Sequence, residues 1–366
     1  MSNQDTDLAL TYHAETRHSY DSVYRQQHFL DWPNRPRPFK LYPELEPIPL
    51  PQEFPVSHLP ALLTFTPTTA PAGTIAEVTL ADLAYVLFYA AGVTRRRTYP
   101  GYGEMWFRAA ACTGALYHIE LYLAIGDLPS LSAGLYHFGP GDFALRRLRQ
   151  GDYRRVLVEA SGDDQALREA PVIIIGTDTF WRNAWKYRAR AYRHSFWDAG
   201  TMLANLLAAA TARTLPTRLV TGFTDAEVDA LLDIDGEREV SLFLVGVGRD
   251  TAPPAVAPPV TPLHLHVAPL SPQEIDYPAI RIMHHASALE SPAQAAAWRG
   301  AALRSAMLPA AGQVVPLRPD APAALPQDPL EVVIRRRGST RQFAPRPLSL
   351  AQLSNVLVWA DARYPC

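Results

Sequence analysis

Proline is distributed so unevenly in this chain that it confines regular structure to part of the sequence. The 366 residues include 34 prolines, concentrated from Pro33 to Pro71 and from Pro253 to Pro329. Because proline lacks a backbone N–H and clashes with the preceding helical turn, neither segment can form a regular helix or a central strand. We therefore expect residues 1–73 to be an extended N-terminal arm. Residues 251–330 should be a connector with one alanine-rich helical insert at about 291–307.

The intervening residues, 74–250, alternate between helical and strand patterns. Their apolar spacing predicts helices at 79–91, 192–212 and 225–233, and continuous apolar runs predict strands at 119–126, 171–177 and 240–247. A capping box is expected at Thr79 with Asp82, and another at Thr224 with Glu227. Strands apolar on both faces are typical of a sheet covered by helices on both sides. The sequence thus predicts an α+β domain over 74–250.

An internal repeat relates this domain to the end of the chain. VTLADLAYVLFYA at 78–90 recurs as LSLAQLSNVLVWA at 348–360, at a constant offset of 270 residues. The second copy also opens with a capping-box pattern, Ser349 with Gln352. We therefore expect residues 331–366 to begin a second, similar domain, of which the chain carries only the start.

Composition restricts the class of protein. The chain has 34 basic and 36 acidic residues, a balance that argues against nucleic acid as a partner. It contains no run of eighteen apolar residues, and its first residues do not resemble a signal peptide, so no membrane association is expected. Its two cysteines, one of them terminal, cannot form a disulfide framework, which favours a reducing cytoplasmic location.

Several motifs follow one another in an order typical of one enzyme family. They are the leader from Tyr12 to Pro51, FRAAACTGALYHIELYLAI at 107–125, GLYHF at 134–138, PVIIIGT at 171–177, the Lys186-Tyr187 pair, VTGFTDAEVDALLDIDG at 220–236 and VSLFLVGVGR at 240–249. Over roughly residues 10–290 the chain resembles the SagB/ThcOx-type dehydrogenases of the nitroreductase superfamily. It departs from the family pattern by placing Ala111, Cys112, Thr113 and His118 where that family usually has proline, serine, alanine and proline.

The resemblance implies a fold, a cofactor and an activity. The fold would be nitroreductase-like, with a central mixed sheet flanked by helices. The enzyme would use FMN to oxidise azoline rings in peptides to azoles. Such domains usually pair around the flavin, so we expect a homodimer, or a pseudo-dimer in which the second domain replaces the partner.

The resemblance also assigns roles to individual residues. Lys186 would be the catalytic base and Tyr187 its hydrogen-bonding neighbour, in a segment rich in cations and aromatics that would hold something anionic and flat. The nearby Arg182, Arg188 and Arg190 would favour the neutral form of the lysine that a base requires. The flavin would be bound by three sets of residues: Cys112, Thr113 and Gly114 from the partner side of the cleft; Thr221 and Gly222 through the backbone; and Arg249 at the phosphate.

A further phosphate-binding motif precedes the second repeat. Arg337, Ser339 and Arg341 in IRRRGSTRQF resemble the entry motif of nitroreductases, in which guanidinium groups bind the FMN phosphate. The equivalent first-domain stretch, FTPTTAPAG at 65–73, contains no arginine. The second copy alone would therefore keep the phosphate clamp.

Three functions remain open from the sequence. The chain could be an FMN-dependent peptide azoline dehydrogenase, a degenerate nitroreductase-like scaffold or dimerisation domain, or a general nitro or quinone reductase. The Lys-Tyr pair and the leader favour the first, and the missing first-domain arginines favour the second. The histidine pairs at 264 and 266 and at 284 and 285 have no Cys or acidic partner at ligand spacing, so no metal site is expected.

Overall fold

The computed structural model describes residues 5–24, 28–54, 56–57, 59–65, 77–101, 103–250, 252–300 and 312–360. Its α-helices are α1 (Thr6–Thr16), α2 (Tyr20–Tyr24), α3 (Leu80–Ala91), α4 (Arg154–Ala160), α5 (Gln165–Arg168), α6 (Phe180–Tyr187), α7 (Ala191–Ala212), α8 (Asp225–Leu232), α9 (Pro278–Ser287), α10 (Pro292–Gly300), α11 (Leu330–Arg336) and α12 (Leu350–Ala360). Its strands are β1 (Pro47–Pro49), β2 (Val93–Tyr99), β3 (Gly103–Arg108), β4 (Ile119–Ile125), β5 (Gly134–Gly139), β6 (Ala144–Gln150), β7 (Val172–Thr179), β8 (Thr217–Val220) and β9 (Glu239–Val247).

A seven-stranded sheet in the order β1-β6-β5-β4-β7-β9-β8 forms the centre of the molecule. The predicted strands β4, β7 and β9 are confirmed and occupy its middle, whereas β5, β6 and β8 were missed. Each strand pairing described is antiparallel, where the sequence predicted mixed directions. For β4, β5 and β6 this follows from their tight connections, because a parallel pair would need a long crossover.

Helices cover both faces of the sheet, which confirms the predicted α+β class. On one face α3 and α7 pack over alternate residues of β4, including Leu121 and Leu123. On the other face α4, α5 and α8 pack over Tyr122 and Ala124. This alternation follows from the two-residue period of a strand. The predicted helices are confirmed, with bounds shifted by at most one residue.

Capping residues explain where helix α3 begins. The Thr79 side chain accepts a hydrogen bond from the Asp82 backbone N–H at 3.1 Å, and Asp82 accepts one from the Thr79 N–H at 3.2 Å. This confirms the first predicted capping box. The box predicted for α8 is wrong, because the Thr224 hydroxyl donates to the carbonyl of Ala160 instead.

The proline-rich segments contain more structure than the sequence suggested. The arm forms α1 and α2 and adds β1 as an edge strand beside β6, a position where proline is tolerated. The connector contains α9 in addition to the expected insert, which is helix at Pro292–Gly300; residues 301–307 lie outside the described part. Leu270 and Ile280 of the connector are buried against α6 and α7, so this segment packs on the domain.

The region after residue 330 divides into two parts with different surroundings. In α11, Leu330 and Ile334 are buried in the main core, and Glu331 accepts a 2.7 Å hydrogen bond from Tyr85. This helix therefore packs with the first domain. Helix α12, which repeats α3 and has the predicted Ser349–Gln352 capping box, is mostly exposed.

The two copies of the repeat differ sharply in burial. Leu83, Val86 and Leu87 of α3 are fully buried, whereas their α12 equivalents at 353, 356 and 357 are 42%, 63% and 46% exposed. A helix with an uncovered apolar stripe is typical of an element whose packing partner lies elsewhere. The second-domain interpretation therefore stays a proposal. Within the described residues, no helix combines the length and apolarity needed to cross a membrane.

Candidate functional site

The segment with the Lys-Tyr pair is divided by a break that the sequence did not predict. Helix α6 leaves the end of β7 and stops at Tyr187, because Arg188 adopts a positive φ of 51°. Helix α7 then starts at Ala191. The Trp181, Trp185 and Tyr192 rings are buried. The Trp181 indole donates to Ser271 Oγ at 2.7 Å, and the Trp185 indole donates to the carbonyl of Asp31 at 2.9 Å. The aromatics thus pin α6 to the arm and connector.

Lys186 and Tyr187 line a cavity of about 550 Å³ at this break. One wall is the α6–α7 connection, 186–190, and the other is the arm, with residues 15–18 and His28. The arm is held there by the Tyr12 hydroxyl, which donates to the carbonyl of Ala189 at 2.7 Å. The cavity is within the size range of small-molecule sites. The Lys186 ammonium lies 5.4 Å from the centroid of the Tyr187 ring.

Tyr187 joins this cavity to the loop after β3. A Cβ atom on Gly114 would lie only 2.9 Å from the Tyr187 hydroxyl, and Gly114 has φ +68°, so only glycine fits there. The Tyr187 ring also packs edge-on against His194 at 4.6 Å. Burial raises the pKa of Tyr187, nearby Cys112 and Asp198 add to this, and Arg341 opposes it. The hydroxyl therefore keeps its proton at neutral pH.

Behind Gly114 lies a group of four polar side chains, of which three are buried and Cys112 is partly buried. Asp198 Oδ2 lies 3.1 Å from Cys112 Sγ and 2.8 Å from His118 Nε2. His118 Nδ1 lies 2.6 Å from Asp178 Oδ1. Burial alone would lower the pKa of His118, but the charge of Asp178 and hydrogen bonds with both aspartates raise it well above its usual value. An imidazolium between two carboxylates results.

The loop that carries Cys112 is fixed by the same aspartate. The Thr113 backbone N–H donates to Asp198 Oδ2 at 2.8 Å, and the Thr113 hydroxyl donates to Oδ1 at 2.8 Å. Burial would raise the pKa of Asp198, but its hydrogen bond with His118 and the charge of that ring lower it. Asp198 therefore remains a carboxylate that positions residues 112–114.

The arginine motif near the end of the chain reaches this region in part. Arg337 Nη2 donates to the carbonyl of Ala109 at 3.2 Å. Arg341 lies close enough to act electrostatically on the Tyr187 hydroxyl. Ser339 is exposed. The first-domain stretch without arginine, 66–73, lies outside the described residues.

Arg182 has a different role from the one expected. Its guanidinium is buried and pairs with Glu120 at 2.5 Å, and it donates to the carbonyl of Tyr117 at 2.8 Å. It thus faces the interior beneath α6, and Arg188 and Arg190 are the arginines beside Lys186 at the cavity. Fewer arginines than the sequence predicted therefore lie beside Lys186.

Three predicted flavin ligands lie away from these residues. A Cβ on Gly222 would meet the Trp298 ring at 2.7 Å, so Thr221 and Gly222 lie beside α10. Arg249 pairs with Glu169 at 3.4 Å, beyond the end of β9 that faces Val172. Asp178 is six residues further along β7, about 20 Å at a strand's rise per residue. Since the 112–114 loop is expected on the partner side of the cleft, the role of Thr221, Gly222 and Arg249 as flavin ligands stays a prediction.

Four functional candidates were missed: His118, Asp178, His194 and Asp198. The signal for His118 was present, since it stands where the family has proline. The others could not be recognised, because β4–β7 pairing and the course of α7 bring them together across 60 and 80 residues. His194 is buried, its pKa is lowered to about 4 by that burial, and its Nδ1 lies 2.7 Å from Asn183 Oδ1.

Comparison with known proteins agrees with this architecture. Residues 139–249 match the model of the nitroreductase family. This part of the chain is therefore similar to the nitroreductases. The protein MJ1384 of Methanocaldococcus jannaschii, whose name assigns it to the nitroreductases, is 28% identical over 172 residues, 47% of this chain and 81% of its own.

Two further relatives refine the comparison. The trifolitoxin-processing protein TfxB of Rhizobium leguminosarum bv. trifolii is 29% identical over 176 residues, which are 46% of this chain and 47% of TfxB. The match spans about half the length of that relative. A solved structure from Anabaena variabilis, classed with the nitroreductases, superposes with a TM-score of 0.66 at 24% identity, over 96% of this chain and 67% of its own. The expected fold class and the SagB/ThcOx-type recognition are confirmed.

Proposed function

We propose that this nitroreductase-superfamily chain is an FMN-dependent dehydrogenase that oxidises azoline rings in a peptide. The cavity at the end of α6 carries the proposal, because Lys186 and Tyr187 line it while Tyr187 also touches the Gly114 loop. The relationship to TfxB supports a peptide substrate, since that protein is named for processing a peptide toxin. This chain would then act within a cytoplasmic peptide-modifying assembly.

The residues around Tyr187 fit a flavin in two respects. Gly114 lets the Tyr187 hydroxyl approach the 112–114 loop closely, so a flavin bound at this loop would lie beside Tyr187. Arg341 and Arg337 extend along the same side, and guanidinium groups bind a phosphate dianion well. Cys112, Thr113, Gly114, Arg337, Ser339 and Arg341 are therefore our proposed FMN contacts. Thr221, Gly222 and Arg249 would contribute from the other side of the cleft, through backbone groups and a guanidinium.

The chain's own groups suit the proton-transfer half of the oxidation. Conversion of an azoline to an azole removes one proton and one hydride from the ring. When bound, FMN would supply the hydride acceptor. Lys186 Nζ, which lines the cavity, would take the proton. The Tyr187 hydroxyl, which stays protonated, would relay that proton or hold the substrate carbonyl.

A single-turnover experiment tests the proposal. The purified protein is mixed anaerobically with a thiazoline-containing peptide, and bleaching of the visible flavin bands is followed together with loss of two hydrogens by mass spectrometry. Lys186→Ala should keep its flavin and slow bleaching by about a hundred- to ten-thousandfold. Tyr187→Phe should be intermediate, because only the hydroxyl is removed. Arg341→Glu should lose the flavin itself.

Two matched controls isolate the effects. Arg346→Glu reverses a charge five residues from Arg341, and Arg155→Ala removes an exposed charge outside the cavity. Both should behave as the parent. A flavin-free parent protein would favour a scaffold or dimerisation role instead. A parent whose flavin is reduced by a nicotinamide cofactor but not by the peptide would favour a nitro or quinone reductase.

A further inference from the structure

Two residues that differ from the family pattern lie close together in the folded domain. Cys112 and His118 stand where the family has serine and proline, and both contact Asp198 Oδ2. The Sγ of Cys112, a ring nitrogen of His118 and a carboxylate oxygen of Asp198 all lie within 4.8 Å of one another. We propose that these three side chains bind a divalent transition-metal ion of the zinc class.

The spacing of the ligand atoms suits such an ion after a small adjustment. Bond lengths of about 2.3 Å to sulfur and 2.0 Å to nitrogen or oxygen put tetrahedral ligand atoms roughly 3.3–3.5 Å apart. The structure has 3.1 Å between Cys112 Sγ and Asp198 Oδ2, and 2.8 Å between that oxygen and His118 Nε2. Each separation must grow by about 0.4–0.5 Å. The partly buried Cys112 can move its sulfur by rotation, whereas the wider His118–Asp198 separation requires both buried side chains to shift slightly.

The surrounding hydrogen bonds orient all three ligands. Asp178 Oδ1 lies 2.6 Å from His118 Nδ1, which leaves Nε2 pointing at the other ligands. In metal sites, a carboxylate hydrogen-bonded to the non-ligating nitrogen of a histidine fixes the orientation of the ring and raises the basicity of the ligating nitrogen. Thr113 holds Asp198 through two donors, and the Tyr117 backbone N–H donates to Cys112 Sγ at 3.0 Å.

Charge and space are also compatible with an ion. A zinc-class ion binds a thiolate and a neutral imidazole, and together with the Asp198 carboxylate these ligands carry two negative charges that a dication balances. A cavity of about 10 Å³ adjoins Cys112 and Asp198 and is otherwise lined by four alanines and by Arg108, Tyr117, Ile119 and Met202. That volume is about what one water molecule needs. Water would complete four-coordination there.

Cobalt titration of the chelator-treated full chain tests the proposal independently of flavin. Difference spectra should show a thiolate-to-cobalt charge-transfer band in the near ultraviolet that saturates at one equivalent and disappears when zinc is added. Cys112→Ser should abolish the band, whereas Cys366→Ser, which removes the other cysteine of the sequence, should retain it.

A positioning variant distinguishes a built site from an adventitious thiol. Asp178→Asn should preserve the band but weaken cobalt affinity by about ten- to a hundredfold, because it loosens the His118 ring without removing a ligand. X-ray absorption at the zinc edge of the parent should find one sulfur ligand, a measurement that needs no variant. A folded parent without the band, a band that survives Cys112→Ser, or zinc without sulfur would each overturn the proposal.

Discussion

The buried ion pair between Glu120 and Arg182 orients the helix that carries Lys186. Both side chains are only 1% exposed, and their atoms are 2.5 Å apart. Burial alone would raise the pKa of Glu120, but the charge of Arg182 and a 3.2 Å hydrogen bond with His137 hold it well below its usual range. Glu120→Gln should leave a buried guanidinium without a counter-charge. Removing one partner of such a pair costs about 3–5 kcal/mol of unfolding free energy.

Urea unfolding measures this cost directly. Glu159→Gln provides the control, because it breaks an exposed pair with Arg155 and should remain close to the parent. The double variant Glu120→Gln/Arg182→Met should recover much of the loss, since it removes the stranded charge as well. A Glu120→Gln protein within about 1 kcal/mol of the parent, with an unchanged dependence on urea, would refute the argument.

Two further predictions concern stability. A chain ending at Arg337 should melt at the parental temperature, because α12 buries only Ser354 and its described polar contacts are with Arg318 and Asp320. Leu330→Ala should instead lower the free energy of unfolding by about 2–5 kcal/mol, because it opens a cavity in the main core. Differential scanning calorimetry on both variants decides whether α11 and α12 belong to different units. Burial raises the pKa of Asp229 from 3.8 to about 7 against the opposing hydrogen bonds from Ser241, so the folded state binds this proton more tightly than the unfolded chain does. The resulting stabilisation is present below pH 3.8 and is lost as the pH rises through about 7. The urea midpoint of the parent should therefore fall between about pH 5 and pH 8, and Asp229→Asn should reduce that fall. Equal slopes of the urea midpoint against pH in parent and variant would contradict this prediction.

The elements that the sequence predicted correctly are those with a short, local sequence pattern. Helix α3 was predictable because its capping pair and its apolar spacing lie within twelve residues. Strands β4, β7 and β9 were predictable because they are buried on both faces and read as continuous apolar runs. Strand β6 was missed for the opposite reason, since ALRRLRQ carries three arginines and is recognised only by its hairpin with β5. The Lys186-Tyr187 pair came from family resemblance.

What the sequence missed was set by register and by long-range contacts. Ile119 pairs with Asp178 in the sheet, so His118 is delivered to that aspartate only if β4 and β7 align at that residue. A slip of one residue would send every side chain of the strand to the other face. The second aspartate, Asp198, comes from α7 on top of the sheet. No local sequence pattern predicts that His118, Asp178 and Asp198 lie together. Of the residues in this cluster, only Cys112 and His118 stood out, because they differ from the family pattern.

The proline-rich segments also matter more to the site than their composition suggested. The sequence assigned them to an arm and a connector, yet residues 15–18 of the arm and Tyr277 of the connector line the cavity of Lys186 and Tyr187. Arg190 and Arg193 hold the arm by hydrogen bonds to Thr16. The sheet and α6 therefore fix the proposed reactive pair, Lys186 and Tyr187, while the arm and connector shape the space in front of it. Because the walls and the reactive pair are carried by different segments, changes in the arm can alter substrate fit while leaving the position of Lys186 unchanged. Substrate choice should accordingly depend on the arm, and the proton-transfer chemistry on the end of α6.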